Sequence, residues 1–426
     1  VQENSRDQLL KTSRQALYVL GLYWFALNIP FQNKFPPTAL GLMIFGLAWI
    51  LRKNWKSLFV QLRRNPAFII SLLLFIWTLI GTSYSPDPKA AEREWVLKIP
   101  LIGWPLAFAG WEKYFSISRT KLLKGFVISC LLSSLILLFS SFSAFIESGM
   151  PDVLFYKALM KWEFVPAHYL SMYISFASAL SFHWMLLALE KRNVKITLSW
   201  ALVTIVFIAM IALSGIRIQW LVMPLLMLIV SIYNIRRNRR LLQPALGLLV
   251  FSSAMIISSP EVRRRASESI IEWKAMKNEV EGYQTNERYF LWTHAWEIIG
   301  EKPLLGHGTG GGDYALNESL ESESAQFWDG QKLVPLNAKR YNLHSEFLQH
   351  LASHGIIGLS LFLALFLFPI FYFKGKLPLF QWLFLICCAL SFTTESMLQR
   401  QAGVFFFAFF YALLIIDLIR LKDQRE

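Results

Sequence analysis

Charge is scarce in this sequence. Asp, Glu, Lys and Arg make up 16% of its 426 residues, against about 25% in an average soluble protein. Hydrophobic residues account for 55% and the mean hydropathy is +0.43, so a bilayer is the natural solvent. Cysteine is nearly missing too. Cys130, Cys387 and Cys388 all sit in apolar runs and two are adjacent, which excludes a disulfide framework and the CxxC spacing of a zinc site; they are expected to pack. The first apolar run, around Leu17 to Ile29, lacks a small-residue cleavage site and reads as a retained helix rather than a signal peptide. No internal repeat is visible.

What is present is a series of apolar runs of membrane-crossing length. A helix needs about 20 mostly apolar residues to span the hydrocarbon core. Twelve segments qualify, at approximately 14–29, 36–51, 66–83, 95–110, 121–146, 168–190, 196–214, 217–233, 241–258, 345–373, 378–394 and 402–420. The fourth is interrupted by Pro100 and Pro105. The expected architecture is an all-α polytopic membrane protein of about twelve transmembrane helices. Helices 1–9 fall in residues 1–258, one large loop in 259–344, and helices 10–12 in 345–426.

The formal charge of +14 is explained by where the basic residues fall. Lys and Arg are retained on the cytoplasmic side of short loops, and they concentrate in alternate connections: Arg52 to Arg64, Lys113 to Lys124, Lys191 to Lys195, Arg236 to Arg240, and Lys374 to Lys376. Arg6, Lys11 and Arg14 at one end and Arg420, Lys422 and Arg425 at the other join that set. The opposite short loops hold little beyond Lys34, Lys89, Arg93, Lys98, Lys157, Lys161, Arg217 and Arg400. Both termini are therefore expected in the cytoplasm, and nucleic acid is not the expected partner.

The large loop then lies outside. Glu261 to Glu281 reads as an amphipathic helix along the membrane surface, with Ile270, Ile271, Trp273 and Met276 apolar. Arg288 to Ile299 reads as a second helix, stopped by Gly300 with Pro303 beyond.

Candidate chemistry gathers on this outer side. His344 stands where the large loop re-enters the membrane, and an imidazole there can take a proton at physiological pH, as activation of a sugar hydroxyl requires; capping the next helix is its alternative role. Glu346, His350 and His354 are four apart, which allows metal ligation but suits helix-stabilising pairs equally; they are read as structural, with no metal. Arg217 is costly at the outer end of an apolar helix and so a functional candidate, or else snorkels to headgroups. Arg288 offers a planar fork suited to phosphate, or a surface ion pair. The run Gly306-His-Gly-Thr-Gly-Gly-Gly has no Walker lysine and no preceding strand, so its glycines are expected to make tight turns or approach a ligand. Glu395 can orient a histidine or arginine, or pair with Arg400.

Together these segments resemble the O-antigen ligase family, over Leu213 to Gln401 in motif and over the whole chain in helix number and the single large outer loop. Arg288 with Trp292, followed by Pro303-Leu-Leu-Gly306-His-Gly308, is similar to the family's arginine-and-tryptophan helix and its proline and double-glycine turn. His344 with Gly355 and Gly358 is similar to its histidine and glycine signature, and Thr394-Glu395-Ser396 to the segment after it. Ser345 stands where members often have asparagine, and Ile216 where they often have serine.

The resemblance implies a GT-C-type, inverting, metal-independent glycosyltransferase of the bacterial inner membrane, active on the periplasmic face without a cofactor. Its donor would be a glycan on undecaprenyl pyrophosphate and its acceptor a sugar hydroxyl of lipid A core oligosaccharide. His344 would be the base and Arg217 and Arg288 the pyrophosphate clamp, with Glu395, Trp292, Gly306 and Gly308 supporting. An O-antigen polymerase or O-oligosaccharyltransferase would share this chemistry. A secondary transporter or lipid flippase also fits twelve helices, but no inverted repeat is visible and charge in mid-helix is scarce.

Overall fold

The computed structural model describes residues 2–32, 37–50, 55–109, 118–160, 165–277, 287–321, 326–328, 333–335 and 340–423. In chain order the helices are α1 (Gln2–Asn28), α2 (Pro37–Ile50), α3 (Trp55–Arg63), α4 (Pro66–Thr82), α5 (Pro88–Lys98), α6 (Pro100–Ala109), α7 (Arg119–Ser148), α8 (Tyr156–Leu159), α9 (Ala167–Glu190) and α10 (Val194–Ser214). They continue with α11 (Gln219–Arg237), α12 (Leu242–Ser258), α13 (Pro260–Lys277), α14 (Glu287–Glu301), α15 (Gly311–Glu321), α16 (Glu346–Tyr372), α17 (Leu379–Ser391), α18 (Gln401–Tyr411) and α19 (Asp417–Asp423). Strands β1 (Gln326–Trp328) and β2 (Leu333–Pro335) pair antiparallel, a small departure from the all-α expectation. Each of the twelve expected segments coincides with helix. Among the described residues seven helices are long and apolar enough to cross a membrane, and three shorter apolar ones accompany them.

Several details differ from the sequence reading. The expected fourth segment is two helices, because Pro100 lacks the N–H that would continue α5 and instead starts α6. The second outer helix runs through Gly300 to Glu301. The glycine run opens a further helix, α15. Of the apolar residues expected on α13, Ile270 is exposed, while the side chains of Ile271, Trp273 and Met276 lie outside the described residues.

The core is aromatic. α9 and α18 are buried on nearly all sides, and Tyr173 stacks on Phe406 at 4.7 Å between centroids while Phe25, Trp104 and Phe409 close a second group. All three cysteines are buried. Ion pairs join residues assigned to one side by the positive-inside alternation: Arg119 and Arg420 both meet Asp417, and Arg237 meets Glu190 at 3.2 Å. An introduced cysteine at the exposed Glu318 is therefore expected to react with an impermeant maleimide in intact cells, and ones at Arg237 and Lys374 only after permeabilisation, against a low background from the buried native thiols. Labelling at 237 from outside would overturn this topology.

One join positions the outer elements. Gly355 interrupts α16 with φ +63 and ψ −167, a conformation open to glycine and strained for other residues. Into this kink the Pro303–Thr309 turn inserts its backbone: Ile356 N–H donates to Pro303 O, His307 N–H to Ala352 O and Gly308 N–H to Ser353 O, each at 2.9 Å. A Cβ on Gly306 would lie 2.6 Å from His354 N. Gly306 and Gly308 thus let two backbones meet; their close approach is to α16 and α4 rather than to an open ligand space.

Candidate functional site

The site begins where the large loop enters α16. Ser345 caps the helix, its side chain accepting from Leu348 N–H, and the residue before it, His344, sits at φ +45. That left-handed conformation is uncommon for a residue with a Cβ. It is held by the Asn342 side chain, which accepts His344 N–H at 3.0 Å, in the local turn that asparagine favours. From the other side Trp292 Nε1 donates to Leu343 O at 2.9 Å, docking α14 on the same stretch.

The second half of the site comes from the link between α17 and α18. Glu346 N–H donates to Phe392 O at 2.9 Å, Ser345 N–H to Ser396 Oγ at 3.2 Å, and Leu398 N–H to the buried Glu346 carboxylate at 2.7 Å. These bonds strap residues 392–398 across the start of α16 and leave Glu395 facing His344. His344 Nδ1 lies 3.1 Å from Glu395 Oε2. Arg288 stands one helical turn before Trp292 and so on the same face of α14, and it approaches the same oxygen at 3.8 Å. His168, at the start of α9, is 3.9 Å from it.

Three elements therefore converge on the carboxylate of a fourth. Glu395 keeps a tenth of its side-chain surface exposed, against 27% for His344 and 35% for Arg288: the acid lies beneath, and the imidazole and the guanidinium are the more exposed groups. Burial opposes ionisation of Glu395, but the His344 hydrogen bond and the positive field of His344, His168 and Arg288 outweigh it and hold the carboxyl below its ordinary range. An ionised carboxylate only accepts, so the shared proton is on His344 Nδ1, which leaves Nε2 as an acceptor when the ring is neutral.

Arg265 of α13 pairs with Glu261 at 2.5 Å and lies over the Tyr156 ring at 4.0 Å. Arg217 forms an ion pair with Glu268 at 3.4 Å, one turn along α13 from Arg265. The structure thus brings His344, Arg288, Glu395 and Trp292 together and sets Arg217 in the adjoining network. His168 and Arg265 escaped the sequence reading. Their signals were a histidine just inside the outer end of an apolar helix, and a third arginine in Arg263-Arg264-Arg265.

His350 and His354 are 1% exposed and take up packing positions. His350 stacks on Phe362 at 4.3 Å with Glu346 at 3.3 Å, and His354 Nε2 is 3.1 Å from Thr309 Oγ1. Among the described residues no group of three or more His, Cys, Asp or Glu is arranged to hold a metal ion.

Residues 200–363 match the family model described as O-antigen ligase. The match supports the O-antigen ligase family. It covers Arg217, Arg265, Arg288, Trp292 and His344; Glu395 and His168 lie outside it and join through the fold. A protein of Haemophilus influenzae described as uncharacterized is 23% identical over 402 residues, 90% of this chain and 93% of that one. The O-antigen ligase match and the long apolar helices support a membrane protein of glycosyltransferase type.

Proposed function

We propose that the chain is an O-antigen ligase of the bacterial inner membrane. It moves a glycan from undecaprenyl pyrophosphate to a sugar hydroxyl of lipid A core oligosaccharide at the periplasmic face, within a GT-C-type arrangement of about twelve spanning helices. The observation that carries this is the Glu395–His344 pair with Arg288 against the same carboxylate. A base with its proton-free nitrogen outward stands next to a fork suited to phosphate, which is what transfer from a glycosyl pyrophosphate requires.

In this mechanism Glu395 fixes the His344 tautomer, and His344 Nε2 takes the proton of the acceptor hydroxyl. The acceptor oxygen bonds to the anomeric carbon as that carbon's bond to the pyrophosphate oxygen breaks. The leaving group departs with the electron pair, and the single displacement inverts the carbon. Arg288, with Arg265 nearby, neutralises the charge that grows on the pyrophosphate. Arg217 belongs to the same clamp at one remove, because its partner Glu268 sits on the helix that carries Arg265. No nucleotide takes part, since the donor is already activated, and arginines can supply the positive charge that other transferases draw from a metal.

Purified protein in liposomes, given lipid-linked glycan and lipid A core with EDTA and no nucleotide, is expected to form glycan-bearing lipid A core, seen as a mobility shift on gels. Turnover abolished by EDTA and restored by a divalent ion would overturn the arginine-only mechanism. Extension of the donor glycan with no transfer to lipid A core would replace ligase by polymerase.

A further inference from the structure

A cavity of about 390 Å³ lies beside the histidine–glutamate pair, within the roughly 300–1,000 Å³ that small-molecule sites occupy. Its walls include Glu94 on α5, Asp313 and Tyr314 on α15, and Arg340, Asn342 and Gln399. Two of these connect it to the site already described. Asn342 is the residue whose side chain holds His344 N–H. Gln399, four residues past Glu395, donates to Glu94 at 3.3 Å. Its arginines are Arg93 and Arg340, whereas Arg217, Arg265 and Arg288 are not among its lining residues.

The lining selects a ligand chemistry. Glu94 and Asp313 present carboxylates, which accept hydrogen bonds, while Arg93 and Arg340 present donors that offset their charge. Glu94 is buried against Lys98 at 2.5 Å; burial alone would favour its neutral form, but Lys98 holds the carboxyl down to about 2. Asp313 Oδ1 accepts from Gln349 at 2.9 Å, and burial pushes its carboxyl up to about 7, so that near neutrality it both accepts and donates. Tyr314, 40% exposed, offers a ring face. Carboxylate acceptors, arginine and amide donors and an aromatic ring, mixed within one cavity, suit a neutral, hydroxyl-rich ring, which both gives and takes hydrogen bonds, better than a prenyl chain.

We propose that this cavity is a sugar-ring subsite that holds a neutral ring of the acceptor glycan next to the one whose hydroxyl meets His344. Its assignment to the acceptor rests on the function proposed above; its hydroxyl-binding character does not. The donor's pyrophosphate belongs with the arginines of α13 and α14, which leaves the cavity on the Asn342 side of His344 to the acceptor.

The test uses the full chain in nanodiscs and, as probe, dephosphorylated core oligosaccharide released from lipid A, with binding measured by calorimetry and transfer by gel shift. Wild type and His344→Ala are expected to bind the probe alike. Tyr314→Ala, at an exposed position, and Asp313→Asn, which keeps the bond from Gln349, are expected to weaken binding at least tenfold and to raise the acceptor KM to match, with the donor KM unchanged. Wild type that transfers glycan while both variants keep probe affinity and acceptor KM would overturn the subsite, as would a rise confined to the donor KM. Probe binding that depends on Tyr314 and Asp313 in a protein that transfers nothing would leave the subsite standing and remove the ligase.

Discussion

His344→Ala is expected to lower the transfer rate by roughly 10² to 10⁴-fold, the usual contribution of a positioned base, while lipid-linked donor still binds. The separation follows from the geometry: His344 meets the acceptor oxygen, and the leaving group is held from α14. Glu395→Gln should fall between wild type and His344→Ala. Its amide oxygen can still accept from Nδ1–H, but the full negative charge that steadies an imidazolium is gone. Thermal stability against pH supplies the fold control. The Glu395 carboxyl is held low in the folded protein, so its contribution is fully present above the ordinary carboxyl value of about 4.3. That contribution is lost as pH falls through the depressed folded value. Glu395→Gln should lack this part of the acid-side loss. Single-turnover transfer and equilibrium donor binding, measured on variants with matched expression and insertion, check the roles. A His344→Ala protein that has lost donor binding yet transfers at high donor concentration would reverse them.

Much of this arrangement was legible in the residue order, and the parts that were not share a physical cause. Apolar runs and basic loops mark helices because length and charge placement are local properties of a chain in a bilayer, and the twelve segments coincide with helices for that reason. His344 and Arg288 were visible as costly or titratable groups near the outer face. Their meeting at Glu395 was not, because it depends on the strap of residues 392–398 over α16, made by backbone N–H groups donating to a carbonyl, a hydroxyl and a carboxylate on segments about fifty residues apart. Lys98 was counted with the outer-loop charges; the fold instead buries it against Glu94, one turn away on a helix that the apolar run at 95–110 had cut in two. The glycine run looked open to a ligand, since sequence shows that glycines permit close approach but not what approaches. Here it is the kinked backbone of α16.

Arg288→Lys separates a phosphate clamp from a mere positive charge. Lysine keeps the charge but presents a single rotating ammonium where the guanidinium presents a planar fork that can bond two oxygens at once. If Arg288 only balanced Glu395, the exchange would cost little: their separation of 3.8 Å is a charge contact rather than a bidentate bond, and lysine can satisfy it. If it holds the pyrophosphate while charge builds there, rate should fall roughly 10 to 100-fold for Arg288→Lys and 10² to 10³-fold for Arg288→Ala, the range for losing one preorganised donor to a developing anion. Donor affinity should weaken as well, which His344→Ala does not share. Arg217→Lys is expected to do less, because Arg217 pairs with Glu268 and reaches the clamp through α13. The measurement is transfer rate and donor affinity for the three variants beside wild type. A fully active Arg288→Lys would remove Arg288 from the clamp, and an Arg217→Lys protein more impaired than Arg288→Lys would move the pyrophosphate to the Arg217–Glu268 network.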